Sequence, residues 1–427
     1  MSVFDTVYDV IVTGGGPAGF GAALGSARSG AKTLLIERYG YLGGMASTGL
    51  PFLTYKDDSG QRIFGIPDEF ATRAMDRGYT ADDPGRDGWL AIDPEGVKIV
   101  FQRMLLESEV DLLLHSWVCE ADTSEDKIDS IDVITKGGRG KLRGKVFIDC
   151  TGDADLAAQC GVPFSIGRED GKTMGMSLLF ALGNVDVESF VSSVKSRWPE
   201  LVRETGLKIP EEIKRTTFLD EERFMPFMVN PLRPGEVIFN WVQLILDRDP
   251  LDAQSLTEAE TEARERINLL VEEVMKPHVP GCENAFLSRT ACQMGVRESR
   301  RIKGLYTLTE EDCVEESGFP DTIALCTYGF DLHASSREDA KNVVMGFRGL
   351  IQIPYRIMIP AGGPRNLLVA GRSVSAGRMA LSAIRVMVPC MSMGEAAGRA
   401  AAAAARKGIP VSDVDIQRLR GELDLRI

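Results

Sequence analysis

A glycine-rich stretch near the start of the chain carries the first recognisable chemistry. Thr13-Gly14-Gly15-Gly16-Pro17-Ala18-Gly19 lies between a β-branched run at residues 7–12 and an Ala-, Gly- and Ser-rich segment that reaches Gly30; a second apolar run, 33–36, ends at Glu37. Strand, tight turn, helix, strand and acid, in that order, make up a cradle for a pyrophosphate. Gly14 permits the turn, Gly16 removes the Cβ that would block the phosphates, and Gly19 lets helix and strand pack closely, so the helix N-terminus faces the anion. Glu37, 18 residues beyond Gly19, is placed to accept hydrogen bonds from adenosine ribose hydroxyls, and its charge would repel a 2′-phosphate. The motif therefore points to FAD or NAD rather than NADP. Gly-rich turns also precede helices for structural reasons alone, but here the flanking strand, the helix composition and the terminal acid all agree.

Two later segments repeat the strand-then-small-turn pattern. Residues 145–155 are an apolar strand followed by Thr151-Gly152-Asp153 and an Ala-rich helical start, which puts Thr151 and Gly152 at a strand's C-terminal end, where open α/β sheets bind ligands. The plain alternative is a strand-to-helix turn capped by Asp153. Residues 366–378 form another strand and turn around Gly371-Arg372, and an Ala- and Gly-rich helix is expected from about Pro389 to Arg406. Its Gly394, Ala397, Gly398 and Ala401 recur at helical spacing, as any close helix contact would require.

These elements must be carried by a chain of 427 residues, long enough for two or three domains. Lys and Arg total 49 against 62 acidic residues, a net charge of −13 that argues against nucleic acid or an anionic membrane and favours a small-molecule substrate. The N-terminus has no basic region followed by an apolar stretch, and nowhere do 18 uncharged apolar residues run together; both predict a cytoplasmic protein. Assembly into a homo-oligomer is left open. Eight cysteines without a CxxC pair read as reduced and mostly buried, and three scattered histidines predict no metal site.

The whole chain resembles the bacterial FAD-dependent oxidoreductases of the two-dinucleotide-binding-domain superfamily, related in fold to glutathione reductase. The resemblance rests on Gly14–Gly19, Leu42-Gly-Gly-Met45, Asp93-Pro-Glu-Gly-Val-Lys98 and Asp149-Cys-Thr-Gly-Asp-Ala-Asp155. It continues through Gly295-Val-Arg-Glu-Ser-Arg-Arg-Ile302, Asp331-Leu-His333, Ile353-Pro-Tyr-Arg356, Ala370-Gly-Arg372 and Ser382-Ala-Ile-Arg-Val386. It implies FAD as the cofactor. Gly14, Gly16, Pro17, Ala18, Gly19, Glu37 and Arg38 would hold the adenosine diphosphate end. Gly43, Gly44 and Met45 would form a second turn against the cofactor, with Val118 beside it and Thr151, Gly152 and Asp153 near its middle. Gly371, Arg372, Ile384 and Arg385 would lie at the flavin end, where the last helix aims its N-terminal amides at the charge that develops on reduction.

The implied fold is α/β: a Rossmann-like FAD-binding domain with a parallel sheet, plus an inserted α+β lid domain with an antiparallel sheet. The expected division is 1–166 for the first part of the FAD domain, 167–290 for the substrate cap and 291–427 for the return to the FAD domain. Within the cap, apolar runs at 176–182 and 237–246 read as strands, 256–275 as an amphipathic helix, and the charged segment 204–223 as mobile. No second glycine fingerprint follows a strand, which counts against a separate NAD(P)H domain.

Oxidation of an alcohol, hydroxy acid or amine by a flavin needs one base. His333 suits that role because its ordinary pKa lies near working pH, with Asp331 to orient or share the task; the competing reading is a satisfied turn after a strand at 322–328. Among Arg297, Arg300 and Arg301, strand alternation would pair 297 with 301 as a carboxylate clamp, and surface solvation is the commoner fate of such a run. Tyr355 and Arg356 precede the last flavin segment. Three readings remain: an FAD-dependent dehydrogenase or oxidase transferring hydride from a small organic substrate, a flavin monooxygenase, and a non-catalytic dinucleotide-binding protein.

Overall fold

The protein is seen in a computed structural model that describes residues 2–53, 56–57, 60–61, 63–82, 88–196, 200, 202–203, 228–229, 232–239, 245–336, 344–346 and 349–425. The charged segment 204–223 and residues 240–244 of the apolar run 237–246 lie outside the described residues.

Five parallel strands form the centre, in the spatial order Asp111–Leu113, Thr33–Ile36, Val7–Thr13, Gly138–Asp149 and Leu367–Val369. The fourth is longer than its apolar half predicts. Residues 138–143 of it pair antiparallel with Lys127–Thr135, which pairs in turn with Trp117–Ser124, so a three-stranded meander grows from one edge of the parallel sheet. The inner strands are buried on both faces, as their unbroken apolar runs require.

The first helix, Pro17–Arg28, and the long C-terminal helix, Met387–Lys407, touch backbone to backbone. A Cβ added at Gly394 would lie 2.0 Å from Ala18 O and one at Gly398 2.1 Å from Ala22 O; from the other side, Gly21 and Gly25 meet Met391 O and Glu395 O at 2.2 and 2.5 Å. Contact partners ascend together along both helices, so the two run parallel and their N-termini lie at the same end of the sheet. The long helix begins two residues before Pro389, which sits in its third position. That is tolerated because the first amides of a helix have no partner within it.

A four-stranded antiparallel sheet, ordered Met228–Val229, Val237–Phe239, Phe180–Gly183, Phe286–Thr290, builds a second layer. Ala253–Leu270, continued by a π-helical turn Val271–Met275, packs its buried Ala259, Ala263, Ile267 and Leu270 into the core that this sheet shares. Apart from Ala91, that core draws only on residues 176–294. No helix among the described residues is long and apolar enough to cross a membrane.

Because Gly398 has no room for a side chain, Gly398→Ala is expected to cost about 2 kcal/mol of stability, read as a lower urea midpoint. A wild-type midpoint would contradict the backbone contact.

Candidate active site

The three glycines of the first motif divide their work. Gly14 has φ +95°, and a Cβ on it would lie 2.5 Å from Cys150 O; a Cβ on Gly19 would lie 1.7 Å from Gly14 O. Both are forced by the protein's own packing. Gly16 differs: among the described residues only Gly44 Cα comes within 4 Å of its missing Cβ, at 3.8 Å, so the protein's own packing does not require glycine there. Glu37 is 6% exposed; its Oε2 accepts from Gly15 N at 2.7 Å and its Oε1 from Tyr39 N at 2.9 Å. The carboxylate thus braces the loop from below, and each oxygen keeps a lone pair for a ribose hydroxyl.

The second turn stacks on the first. Gly43 N donates to Gly15 O at 2.9 Å, and Gly44, at φ +49°, comes so close to Gly16 that a Cβ would lie 2.9 Å from its Cα. Beside it Arg38 lies over the rings of Tyr39 and Trp117 at 4.8 and 5.0 Å and donates to Gln293 Oε1, whose amide nitrogen reaches Met45 Sδ at 3.6 Å. Val118 is buried next to Trp117. At the other glycine turn Gly371 has φ +94°, and a Cβ there would stand 3.0 Å from Ala18 Cβ. Beginning, middle and end of the chain therefore meet around one helix start.

Neither meeting helix carries a side-chain cap at its N-terminus. The first backbone bonds within them are Phe20 N to Gly16 O and Cys390 N to Val386 O. Ala18 and Gly19 in one, Met387 and Val388 in the other, are amides that no intrahelical carbonyl satisfies, while Pro17 and Pro389 have none to offer. Two partial positive charges thus face the C-terminal ends of the parallel strands.

Asp153 does not cap the helix that follows it. Its carboxylate accepts from Ser299 Oγ at 2.6 Å and Arg372 Nη2 at 2.7 Å, and those contacts hold it ionised below the usual carboxylate range against the opposing effect of burial. The turn is instead organised by fully buried Asp149, which accepts from Thr151 N, Thr151 Oγ and Ala157 N; burial raises its pKa. Gly152, at φ +85°, lies against Arg372, and Ile384 is buried at the end of the short helix Arg378–Ile384.

Beyond that helix a second cluster gathers four of the charged residues singled out in the sequence. Asp331 Oδ1 lies 3.0 Å from His333 Nε2; Arg385 Nη2 donates to Asp331 O at 3.0 Å and to Oδ2 at 3.1 Å; Ser382 Oγ accepts from Asp331 N at 3.1 Å. Arg297 Nη1 donates to Gly175 O at 2.7 Å and Ser177 Oγ at 2.5 Å. Burial, then the charge of Arg297, pushes the His333 pKa down to about 4, and burial, then Arg385, pushes that of Arg297 down to about 10. Although burial opposes it, Asp331 is held well below the usual range by His333 and the two arginines. His333 is therefore neutral at physiological pH. With Nε2–H given to Asp331, Nδ1 carries the lone pair, and Nδ1 is buried without a hydrogen-bond partner among the described residues.

Other expectations need correction. Tyr355 is 1% exposed and gives its hydroxyl to Val411 O at 2.9 Å, a core side chain rather than a group facing substrate. Arg300 and Arg301 are not solvated: Arg300 reaches Asp153 O and Asp155 Oδ1, and Arg301 reaches Ala376 O and Gly167 O. Only Arg300–Ile302 is strand, so alternation does not pair Arg297 with Arg301. Ser177 and Ser299 were not foreseen; Ser299 lies inside the Gly295–Ile302 motif, whereas nothing in sequence couples Ser177 to Arg297.

The family described as FAD dependent oxidoreductase matches residues 9–423. The chain belongs to this family. No curated protein matches it. Similar solved structures include a geranylgeranyl bacteriochlorophyll reductase-like protein from Thermoplasma acidophilum, at 13% identity and TM-score 0.51 over 97% of this chain and 83% of that one. The p-nitrophenol 4-monooxygenase PnpA from Pseudomonas putida is similar at 13% identity and TM-score 0.53 over 95% and 82%. Flavin-dependent brominase Bmp2 is similar at 13% identity and TM-score 0.50 over 98% and 82%. At such identity these likenesses establish the fold. FAD is the cofactor, and the open position at Gly16, the two uncapped helix starts and the spare lone pairs of Glu37 fit its diphosphate and ribose.

Gly16→Val should abolish flavin retention, since its side chain would fill the one unobstructed glycine position of the loop. Purified protein still yellow at full stoichiometry would place the phosphates elsewhere.

Proposed function

We propose that this FAD-dependent oxidoreductase oxidises a small organic substrate, an alcohol, hydroxy acid or amine, with His333 as the base. The observation that carries the reading is the Asp331–His333 pair with Nδ1 buried, neutral and unpartnered. Bound FAD supplies the two-electron acceptor that takes the hydride. The chain's own residues handle the proton. Asp331 fixes the tautomer, so the lone pair stands on Nδ1, and Arg385 fixes Asp331 through both its carbonyl and its carboxylate. Arg297 keeps the imidazole neutral without a direct bond to it, because a second positive charge nearby disfavours protonation. A substrate O–H or N–H within hydrogen-bond reach of Nδ1 would lose its proton there as the neighbouring C–H bond breaks.

The single nucleotide-binding sheet, with strands from both ends of the chain, supports placing the protein in the glutathione-reductase-like superfamily without that group's second dinucleotide domain. The acidic surface supports a small-molecule partner rather than nucleic acid or a membrane.

Anaerobic mixing with a panel of alcohols, amines and hydroxy acids should bleach the flavin with at least one class. With that substrate His333→Ala should keep the flavin and slow its reduction by about 10²-fold or more. Unchanged single-turnover rates would return His333 to a structural role, and oxygenated product formed with NAD(P)H in air would favour a monooxygenase.

The pH profile is a separate check. The base loses activity only when protonated, and its pKa is pushed down to about 4. The rate should therefore hold as pH falls through 6.5 and drop only on approaching about 4. A break near 6.5 would mean an exposed imidazole.

A further inference from the structure

The Arg297, Arg385, Asp331 and His333 cluster holds two guanidinium groups against one carboxylate, with the histidine neutral. One positive charge is left over. An oxidised flavin ring is neutral and does not offset it, and the uncapped start of Met387–Lys407, two residues beyond Arg385, adds to it. Hydrogen-bond capacity is left over as well. Arg297 commits only Nη1; Nε and Nη2, the side-on fork that matches a carboxylate, have no partner among the described residues, and the side chain is only half-buried. Arg385 commits Nη2 to Asp331, while its Nε is buried and unpartnered. Buried charges and donors of this kind are costly unless something satisfies them.

We infer that the substrate carries a carboxylate, held by the Nε and Nη2 edge of Arg297 next to the His333 base. This rests on the oxidase or dehydrogenase reading above and narrows it to carboxylic acids bearing an oxidisable O–H or N–H. For a 2-hydroxy acid the C–H hydride leaves to the cofactor, the O–H proton goes to His333 Nδ1, and the product is the 2-keto acid. Arg297 is then the specificity-determining residue, and Ser177 and Gly175, which hold its Nη1, position it.

The test titrates the oxidised holoenzyme, at constant ionic strength, with acetate, propionate and benzoate and with acetamide, propionamide and benzamide. Binding is read from the perturbed flavin absorbance band and from the thermal midpoint. At least one acid should bind tenfold or more tighter than its amide. Arg297→Met should erase that difference, and Arg297→Lys should restore part of it. Equal binding of acids and amides, no binding by any acid, or a preference that survives in flavin-replete Arg297→Met would overturn the inference. Should Arg297→Met fail to hold flavin, the wild-type comparison of acid with amide still settles it. Alcohols that bleach the flavin while acids show no preference would sink this inference alone. Acids that bind through Arg297 while nothing in the substrate panel bleaches the flavin would sink the dehydrogenase reading instead.

Discussion

The parallel, backbone-to-backbone contact between Pro17–Arg28 and Met387–Lys407 is the constraint from which the rest of the site follows. Four glycines, two on each helix, bring the axes so close that carbonyls of one lie against the Cα positions of the other. Parallel packing sets like dipole ends side by side, an arrangement with no electrostatic advantage of its own. What it achieves is the convergence of two uncapped N-termini on the C-terminal edge of the sheet. An extended dianion would meet positive potential at both of these helix starts.

The charged groups extend the same logic. Asp153 pairs with Arg372, and Glu298, fully buried, bonds Arg378 through both oxygens at 2.9–3.1 Å with Arg301 Nε 3.7 Å away, which ties the Gly295–Ile302 segment to the short helix Arg378–Ile384. These contacts join segments far apart in sequence and act as struts. In the Asp331 cluster one carboxylate holds Arg385 and His333 and also feels the charge of Arg297. Each unsatisfied group in such an imbalance costs stability.

Where the sequence was legible, the constraint was local. Gly14 and Gly19 must be glycine because of atoms in the same turn or the adjoining strand, and Glu37 follows its strand at fixed distance, so the first forty residues disclosed their local geometry. Asp331 and His333, two apart at the end of Phe330–Leu332, fall on the same side of an extended chain and were readable as a pair. The arginines were not. Arg300 and Arg301 follow one another in an apparently solvated run, yet each is drawn inward by backbone carbonyls or acids more than 70 positions away, and no periodicity announces that. Tyr355 misled for the opposite reason: its place before the last strand suggested chemistry, whereas its hydroxyl only caps Val411 O. Pro389 marked the long helix to within two residues, since proline is welcome anywhere in the first turn.

The interlocked helices also bear on how the chain comes into being on the ribosome. Gly21 and Gly25 lie against Met391 and Glu395, and the fifth parallel strand, Leu367–Val369, joins the sheet through residues 147–149. The amino-terminal half therefore emerges with its closest contact surfaces bare, and they stay so until residues 367–407 have been made. A premature stop before Met387 would leave Pro17–Arg28 without its partner.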